Sequence, residues 1–201
     1  MKSLMMFNVT VAPLCRLALI LALVSKSVSL STTSVSKMPV QKVPLRRNDA
    51  SSPYCYAVSS ITGLQPHQNF LATQVWPASR AAAAFIEINL PSRDMVICEL
   101  GCGPGLPSLT AATIVDNHVI ATDLDALALE LVDAAARDQN LKVEVERVDL
   151  CGDSLPSADL YVLSDVFESA AVAVGAARLL HTKAADNLVW VFCQSDRAQR
   201  E

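Results

Sequence analysis

The sequence has no lysine or arginine between Asp94 and Ala136, although seven aspartates and glutamates occur in that stretch. A pocket built from these residues would have a negative potential, which repels phosphate groups. The chain also lacks the GK[ST] of a Walker loop, whose lysine and backbone amides hold nucleotide phosphates. These two absences argue against a nucleoside triphosphate as the ligand.

The six cysteines form no CxxC pair and show no spacing typical of metal ligands. A core of this size needs no disulfides for stability, so we expect free thiols. The sequence therefore predicts neither a metal site nor a disulfide framework.

Acidic residues are absent from residues 1–48, which contain seven lysines or arginines and ten serines or threonines. The remaining 153 residues carry nine basic and twenty acidic side chains, and their net charge is therefore about −11. A domain of this charge repels nucleic acids and anionic membranes. We expect no nucleic-acid partner and no stable membrane insertion.

The first 48 residues have the composition of a targeting leader that does not belong to the fold. The apolar run Leu17–Val24, between Arg16 and Lys26, is shorter than the ~20 residues of a membrane-spanning helix. Ser25–Arg47 is typical of an organelle transit peptide. A plastid leader is favoured, and a mitochondrial presequence or a secretory signal followed by a linker are the alternatives.

Residues 49–201 alternate between predicted strands and helices, which indicates an α/β fold with a doubly wound, mainly parallel sheet. The strands are predicted at Met95–Leu100, His118–Thr122, Val143–Val148, Asp159–Ser164 and Leu188–Cys193, and the helices at Arg80–Leu90, Leu106–Val115, Ala126–Gln139 and Ser169–His181. The irregular segment Tyr54–Trp76 is expected to cover a pocket. Because the chain ends eight residues after the fifth strand, we expect a Rossmann-like sheet that lacks its last two strands and has an uncovered edge.

A glycine turn, with Gly101, Gly103 and Gly105, follows the first of these strands. Glycine allows the backbone to approach a ligand closely and to adopt positive φ. The GxGxxG fingerprint of dinucleotide-binding proteins needs a third glycine where this chain has Leu106. The turn thus favours a nucleoside-type cofactor other than NAD.

Two acidic residues flank this turn. Asp123 ends the second strand, 22 residues after Gly101, where a carboxylate accepts hydrogen bonds from ribose hydroxyls. Glu99 opens the turn and suits an ammonium group or the amino acid tail of a sulfonium compound. The alternative for Asp123 is a helix cap, which is the role expected of Asp125.

Together these segments resemble the class I, seven-strand S-adenosylmethionine methyltransferases, and more narrowly the protein-lysine methyltransferases that include the calmodulin and electron transfer flavoprotein β-subunit enzymes. The resemblance covers Val75–Arg197. It rests on five motifs, which are VWPASRAAAAFI (Val75–Ile86), ELGCGPGLPS (Glu99–Ser108), ATDLD (Ala121–Asp125), VEVERVDL (Val143–Leu150) and LSDVFES (Leu163–Ser169).

The resemblance implies S-adenosyl-L-methionine as the cofactor and a role for each motif. Glu99, Gly101, Gly103 and Gly105 would hold its methionine part, Asp123 its ribose, and Asp149 with Leu150 its adenine. Trp76 would border the methionine end, although a core or covering aromatic is the alternative.

The family's DxxY motif falls on Asp165–Glu168, where glutamate replaces the tyrosine. Asp165 is the candidate catalytic residue, because it would orient the acceptor amine at the mouth of the sheet. The resemblance implies a lysine of another protein as the acceptor. A small-molecule N-methyltransferase and a catalytically silent cofactor-binding protein are the alternatives.

Overall fold

A computed structural model describes residues 4–8, 39–60, 70–116, 118–167, 169–183 and 187–194. The strands are Leu4–Asn8 (β1), Val40–Pro44 (β2), Tyr54–Val58 (β3), Val96–Leu100 (β4), His118–Asp123 (β5), Glu144–Arg147 (β6), Leu160–Ser164 (β7) and Leu188–Gln194 (β8). The α-helices are Pro77–Asn89 (α1), Leu106–Ala111 (α2), Ala126–Asp138 (α3) and Ala170–Lys183 (α4), and a short 3-10 helix covers Phe70–Thr73.

The central sheet has the strand order β1-β8-β7-β4-β5-β6. Five neighbouring strands, β8 to β6, are parallel, and β1 pairs antiparallel with β8. The chain thus runs outward from β4 in both directions, which makes the carboxyl end of β4 the switch point where ligands of such sheets bind. The predicted Rossmann-like fold is confirmed.

The two faces of the sheet follow the alternation of side chains along each strand. In β4, Ile97 packs with Ile86 and other residues of α1, whereas Cys98 and Leu100 pack on the opposite face with Leu179 of α4. Strand β7 is buried at all five positions, as expected for a central parallel strand covered by helices on both sides. This packing fixes the loops that follow β4, β5 and β7.

Strand β1 occupies the edge that the sequence left uncovered. Leu4 pairs with Gln194 and Asn8 with Trp190. An unpaired edge strand presents a row of N–H and C=O groups, which an extended segment can satisfy. Residues 9–38 of the predicted leader, which include its apolar run, lie outside the described residues, and the targeting function stays a prediction.

The last part of the predicted leader is folded. Strand β2 pairs antiparallel with β3, and Asp138 Oδ2 at the end of α3 accepts hydrogen bonds from Lys42 Nζ at 2.8 Å and from the hydroxyls of Tyr54 and Tyr56 at 2.6 Å. The fold therefore begins before Asp49. The reason is a contact between residues nearly one hundred positions apart, which local composition does not reveal.

The start of α1 and the end of α2 differ from the predicted helix boundaries. Helix α1 begins at Pro77, three residues before the predicted start at Arg80, because the missing N–H of proline costs nothing at a first helical position. The α-helix α2 ends at Ala111 instead of Val115. Asp125 caps α3 as predicted, since its Oδ1 accepts from the Leu127 amide at 2.8 Å.

The five cysteines within the described ranges are free. No helix in those ranges combines the length and the apolar character needed to cross a bilayer. The same ranges contain no group of three or more histidine, cysteine, aspartate or glutamate side chains placed to hold a metal ion.

Candidate active site

A cleft of about 700 Å³ opens at the carboxyl ends of β4, β5 and β7. Seven of the nine predicted site residues line it, namely Trp76, Gly101, Gly103, Asp123, Asp149, Leu150 and Asp165. The other two, Glu99 and Gly105, lie behind the cleft wall. The cleft thus lies at the switch point that the strand order indicates.

The glycine turn needs its glycines for conformation and for space. Gly101, Gly103 and Gly105 have φ of 66°, 51° and 69°, the left-handed region that other residues rarely adopt. A Cβ on Gly101 would lie 2.3 Å from Val166 Cγ2, and one on Gly105 would lie 2.5 Å from Val132 Cγ2. Gly105 therefore packs the turn against α3, while Gly101 and Gly103 present backbone to the cleft.

Glu99 supports the turn from beneath. Its side chain is 1% exposed, and Oε2 accepts hydrogen bonds from the amide and the hydroxyl of Ser108, at 2.9 and 2.5 Å. Burial raises the pKa of Glu99 to about 8, against the opposing effect of the Ser108 hydrogen bonds. The carboxyl group thus stabilises the start of α2, and its contact with the methionine part of the cofactor stays a prediction.

Asp123 joins the glycine turn to the end of β5. Its Oδ2 accepts from the Gly103 amide at 2.8 Å and its Oδ1 from the Asp125 amide at 2.9 Å. Each carboxylate oxygen has a second lone pair, which leaves acceptor capacity for two ribose hydroxyls. Burial raises the pKa of Asp123, and the two backbone hydrogen bonds oppose that shift.

Asp149 and Leu150 form the opposite wall, in the loop after β6. Asp149 Oδ1 accepts from the Cys151 amide at 2.8 Å, which makes a tight turn. Helix α4 packs closely on this loop, because a Cβ on Gly175 would lie 2.4 Å from the Leu150 carbonyl oxygen. Arg178 also donates to the Cys151 carbonyl at 3.1 Å. The loop is therefore held by a helix on the outer side of the cleft.

Asp165 lies at the end of β7 and is 4% exposed. Its φ of 56° is unusual for a residue with a side chain, though aspartate tolerates it better than most, and its amide donates to the Phe192 carbonyl at 2.9 Å. Glu168, at the tyrosine position of the predicted motif, lies outside the described residues.

Trp76 precedes α1 and is half-buried at the cleft. Ala72 and Gln74, from the segment predicted to cover a pocket, line the cleft beside it. A Cβ on Gly103 would lie 3.1 Å from the Ala72 carbonyl oxygen, so this segment contacts the glycine turn directly. Residues 61–69 of the segment lie outside the described residues.

Sequence reasoning missed several lining residues, among them Ser79, Glu130 and Ser164. Glu130 follows the capping Asp125 by five positions and so lies at the same end of α3, a spacing that could have indicated it. Burial raises its pKa, and the nearby Asp125 and Asp133 act in the same direction. The sequence places Ser79 in the VWPASRAAAAFI motif at the start of a helix, but it does not indicate which side of that helix meets the cleft.

The described lining residues carry five carboxyl groups and neither lysine nor arginine; the five are Asp123, Asp125, Glu130, Asp149 and Asp165. This charge disfavours a pyrophosphate and favours a cationic ligand. A sulfonium nucleoside fits, because the bare glycine backbone admits close approach and Asp123 offers acceptors for ribose.

Comparison with known proteins agrees with this geometry. Residues 97–183 match the family model described as a methyltransferase domain. The ribosomal protein L11 methyltransferase of Thermotoga neapolitana is 28% identical over 90 residues, which are 45% of this chain and 34% of that protein. The match thus spans about a third of that relative's length.

Two solved structures also match part of the chain, at low sequence identity. Coclaurine N-methyltransferase, bound to N-methylheliamine and SAH, is 19% identical, with a TM-score of 0.49 over 57% of this chain and 34% of its own. A dimethyladenosine transferase from Plasmodium falciparum is 16% identical, with a TM-score of 0.49 over 62% and 44%.

Proposed function

We propose that this chain, whose residues 97–183 match a methyltransferase domain, uses S-adenosylmethionine to methylate a lysine side chain of another protein. The observation that carries the proposal is the carboxylate-lined cleft at the switch point, where a bare glycine backbone and Asp165 line the same space. The match to a methyltransferase domain supports S-adenosylmethionine as the cofactor, whereas the lysine acceptor is the finer part of the proposal.

Different residues of the cleft would contact different parts of the cofactor. Gly101 and Gly103 would lie against the methionine part, Asp123 would accept from the ribose hydroxyls, and Asp149 with Leu150 would hold the adenine. When bound, S-adenosylmethionine supplies an electrophilic methyl group on a positively charged sulfur. The carboxylates that line the cleft favour this charge.

The acceptor nitrogen must be neutral to attack a methyl group. A lysine with a pKa of ~10.4 is neutral in only about one part in 10³ at pH 7, so it must lose a proton at or before the site. Asp165 would orient the amine through a hydrogen bond, and positioning is the main contribution such a transfer needs from the protein. A carboxylate also stabilises the ammonium form, so Asp165 serves orientation and is assigned no role as general base.

Net charge supports a basic protein surface as the partner. Residues 49–201 carry about eleven more acidic than basic groups, which attracts cationic segments and steers them to the cleft. The same charge argues against nucleic acid as the acceptor, since phosphates would be repelled.

Label transfer tests the acceptor. The full chain is incubated with methyl-labelled S-adenosylmethionine and an organelle extract, and the products are separated by mass and hydrolysed to amino acids. A labelled polypeptide that yields methyl-lysine supports the proposal, and Asp123→Ala should abolish the label. Label confined to small molecules would contradict a protein acceptor, and cofactor binding without any transfer would indicate a catalytically silent binding protein.

We also propose that residues 1–48 direct the chain to an organelle, with the plastid favoured over the mitochondrion or the secretory pathway. The support is the absence of acids beside seven basic residues. A fluorescent protein fused after residue 48 should accumulate in that organelle, and diffuse fluorescence would contradict the proposal.

A further inference from the structure

The amino end of helix α1 opens onto the cleft. Trp76, the residue that precedes the helix, and Ser79 in its first turn both line the cleft. The first N–H groups of any α-helix have no acceptor within the helix, and they carry the positive end of its dipole. With 13 residues, α1 is long enough for this effect to matter.

The other helix starts next to the site already have an acceptor. At α2, Glu99 accepts from the Ser108 amide, and at α3 the Asp125 side chain accepts from Leu127. At α1, Trp76 makes no capping hydrogen bond through its side chain, and the first turn contains no acidic residue. Among the described residues, the start of α1 therefore has neither a side-chain cap from Trp76 nor an acidic residue in its first turn, whereas a carboxylate accepts from an amide at the starts of α2 and α3.

Ser79 gives a second and independent indication. The residue is 5% exposed, and its hydroxyl oxygen has no hydrogen-bond partner among the described residues. A buried hydroxyl without a partner is destabilising, so such groups are rare unless a ligand completes them. Because Ser79 lines the cleft, a bound ligand can supply the missing partner.

The charge of the cleft restricts the chemistry of that ligand group. Elsewhere the described lining carries carboxylates, which favour cations, whereas the start of α1 offers backbone N–H groups and the Ser79 hydroxyl, which can donate to an anion. A phosphate of higher charge would meet the surrounding acids. A single carboxylate on a molecule that is otherwise cationic satisfies both environments.

We propose that the start of α1 and the Ser79 hydroxyl bind the α-carboxylate of the methionine part of the cofactor. Ser79 is then a positioning residue, which fixes the tail and through it the sulfonium. The inference rests on the proposed cofactor function and adds a specific anion site to it.

Direct binding tests the inference without any acceptor or turnover. Isothermal calorimetry on the full chain compares S-adenosylmethionine with its decarboxylated form, which keeps the sulfonium and the amine but lacks the carboxylate. Ser79→Ala should weaken binding of the first ligand by about tenfold or more, as expected for a lost hydrogen bond to a charged group, and change the second by less than about twofold. Ser79→Thr, which keeps the hydroxyl, should restore most of the affinity.

The outcomes separate the two proposals. If Ser79→Ala binds S-adenosylmethionine as tightly as the parent chain, or loses equal affinity for both ligands, the carboxylate site is wrong while the cofactor function stands. If the parent chain binds neither ligand, the proposed function fails and the inference fails with it. Thermal unfolding of the ligand-free variants controls for loss of fold.

Discussion

The Asp123 carboxylate accepts a hydrogen bond from the backbone amide of Gly103, with 2.8 Å between Oδ2 and the nitrogen. This bond connects the end of β5 to the glycine turn that follows β4. The groups proposed to contact the ribose and the methionine part of the cofactor therefore hold one another in place before any ligand binds, which reduces the ordering cost of binding.

Asp123→Asn should weaken cofactor binding by about tenfold to a hundredfold. An amide side chain keeps one acceptor oxygen, but its NH₂ group cannot accept from Gly103 or Asp125, so the turn loses an anchor and the ribose loses an acceptor. Calorimetry with S-adenosylhomocysteine measures the change. Asp116→Asn, on the exposed surface, is the matched control and should bind normally.

Gly101→Ala should abolish cofactor binding and destabilise the fold. The added Cβ would lie 2.3 Å from Val166 Cγ2, and the φ of 66° is unfavourable for alanine. Gly152→Ala is the control, because nothing lies within 4 Å of its Cβ position and its φ is not in the left-handed region. Equal melting temperatures and affinities for the two variants would contradict the steric explanation.

The stability of the chain should fall as pH rises from about 4.5 to about 8, because the folded state raises the pKa of Glu99 to about 8. In this range the folded chain holds a proton that the unfolded chain releases, so rising pH favours unfolding, by roughly a few kcal/mol in total. Urea unfolding at pH 5, 6.5 and 8 measures the slope. Glu99→Gln should flatten it, and parallel slopes for the two proteins would show that another group is responsible.

Asp165→Asn should separate binding from catalysis. Asparagine has nearly the same shape and tolerates the positive φ, so the affinity for S-adenosylhomocysteine should change by less than about threefold. Loss of the charge that orients the acceptor should lower the rate of methyl transfer by about a hundredfold. Single-turnover methyl transfer to the polypeptide identified by label transfer measures this rate, and an unchanged rate would contradict a role of Asp165 in orienting the acceptor.

Asp138→Asn should loosen the hairpin of β2 and β3. The hydrogen bonds from Lys42, Tyr54 and Tyr56 lower the pKa of Asp138, which shows that they favour the charged carboxylate. We expect faster hydrogen exchange at Tyr54–Val58, with no change at β7. Lys42→Ala, which retains both tyrosine contacts, should have a smaller effect.

Sequence alone predicted the segments whose structure depends on near neighbours. The strand β4, the glycine turn and the capping of α3 by Asp125 combine buried runs with specific turn and cap residues, and all three were confirmed. Strands β1 and β2 were missed because each pairs through contacts that no local pattern records. Leu4 meets Gln194 at the other end of the described chain.

The residues of the candidate site divide in the same way, into those that local sequence predicts and those that it does not. Asp123 ends a strand, and Asp149 and Asp165 lie just after strands. Because parallel strands bring their carboxyl ends together, the placement of these residues could be predicted. Glu99 lies within β4, on the same face as Ile97, and that face is covered by helices. Its side chain is therefore buried beneath the glycine turn and does not line the cleft. Ser79 could not be found, because its role depends on which face of α1 meets the cleft.

Gly175 lies in helix α4, outside the cleft, and contacts the loop that forms one wall of the cleft. Glycine weakens a helix, but at position 175 its lack of a side chain allows the backbone of α4 to lie against the Leu150 carbonyl. A side chain at this position would displace that carbonyl, and with it the wall of the cleft that is proposed to hold the adenine. Variation in a helix outside the cleft would thus alter the proposed nucleoside subsite indirectly, through the loop after β6.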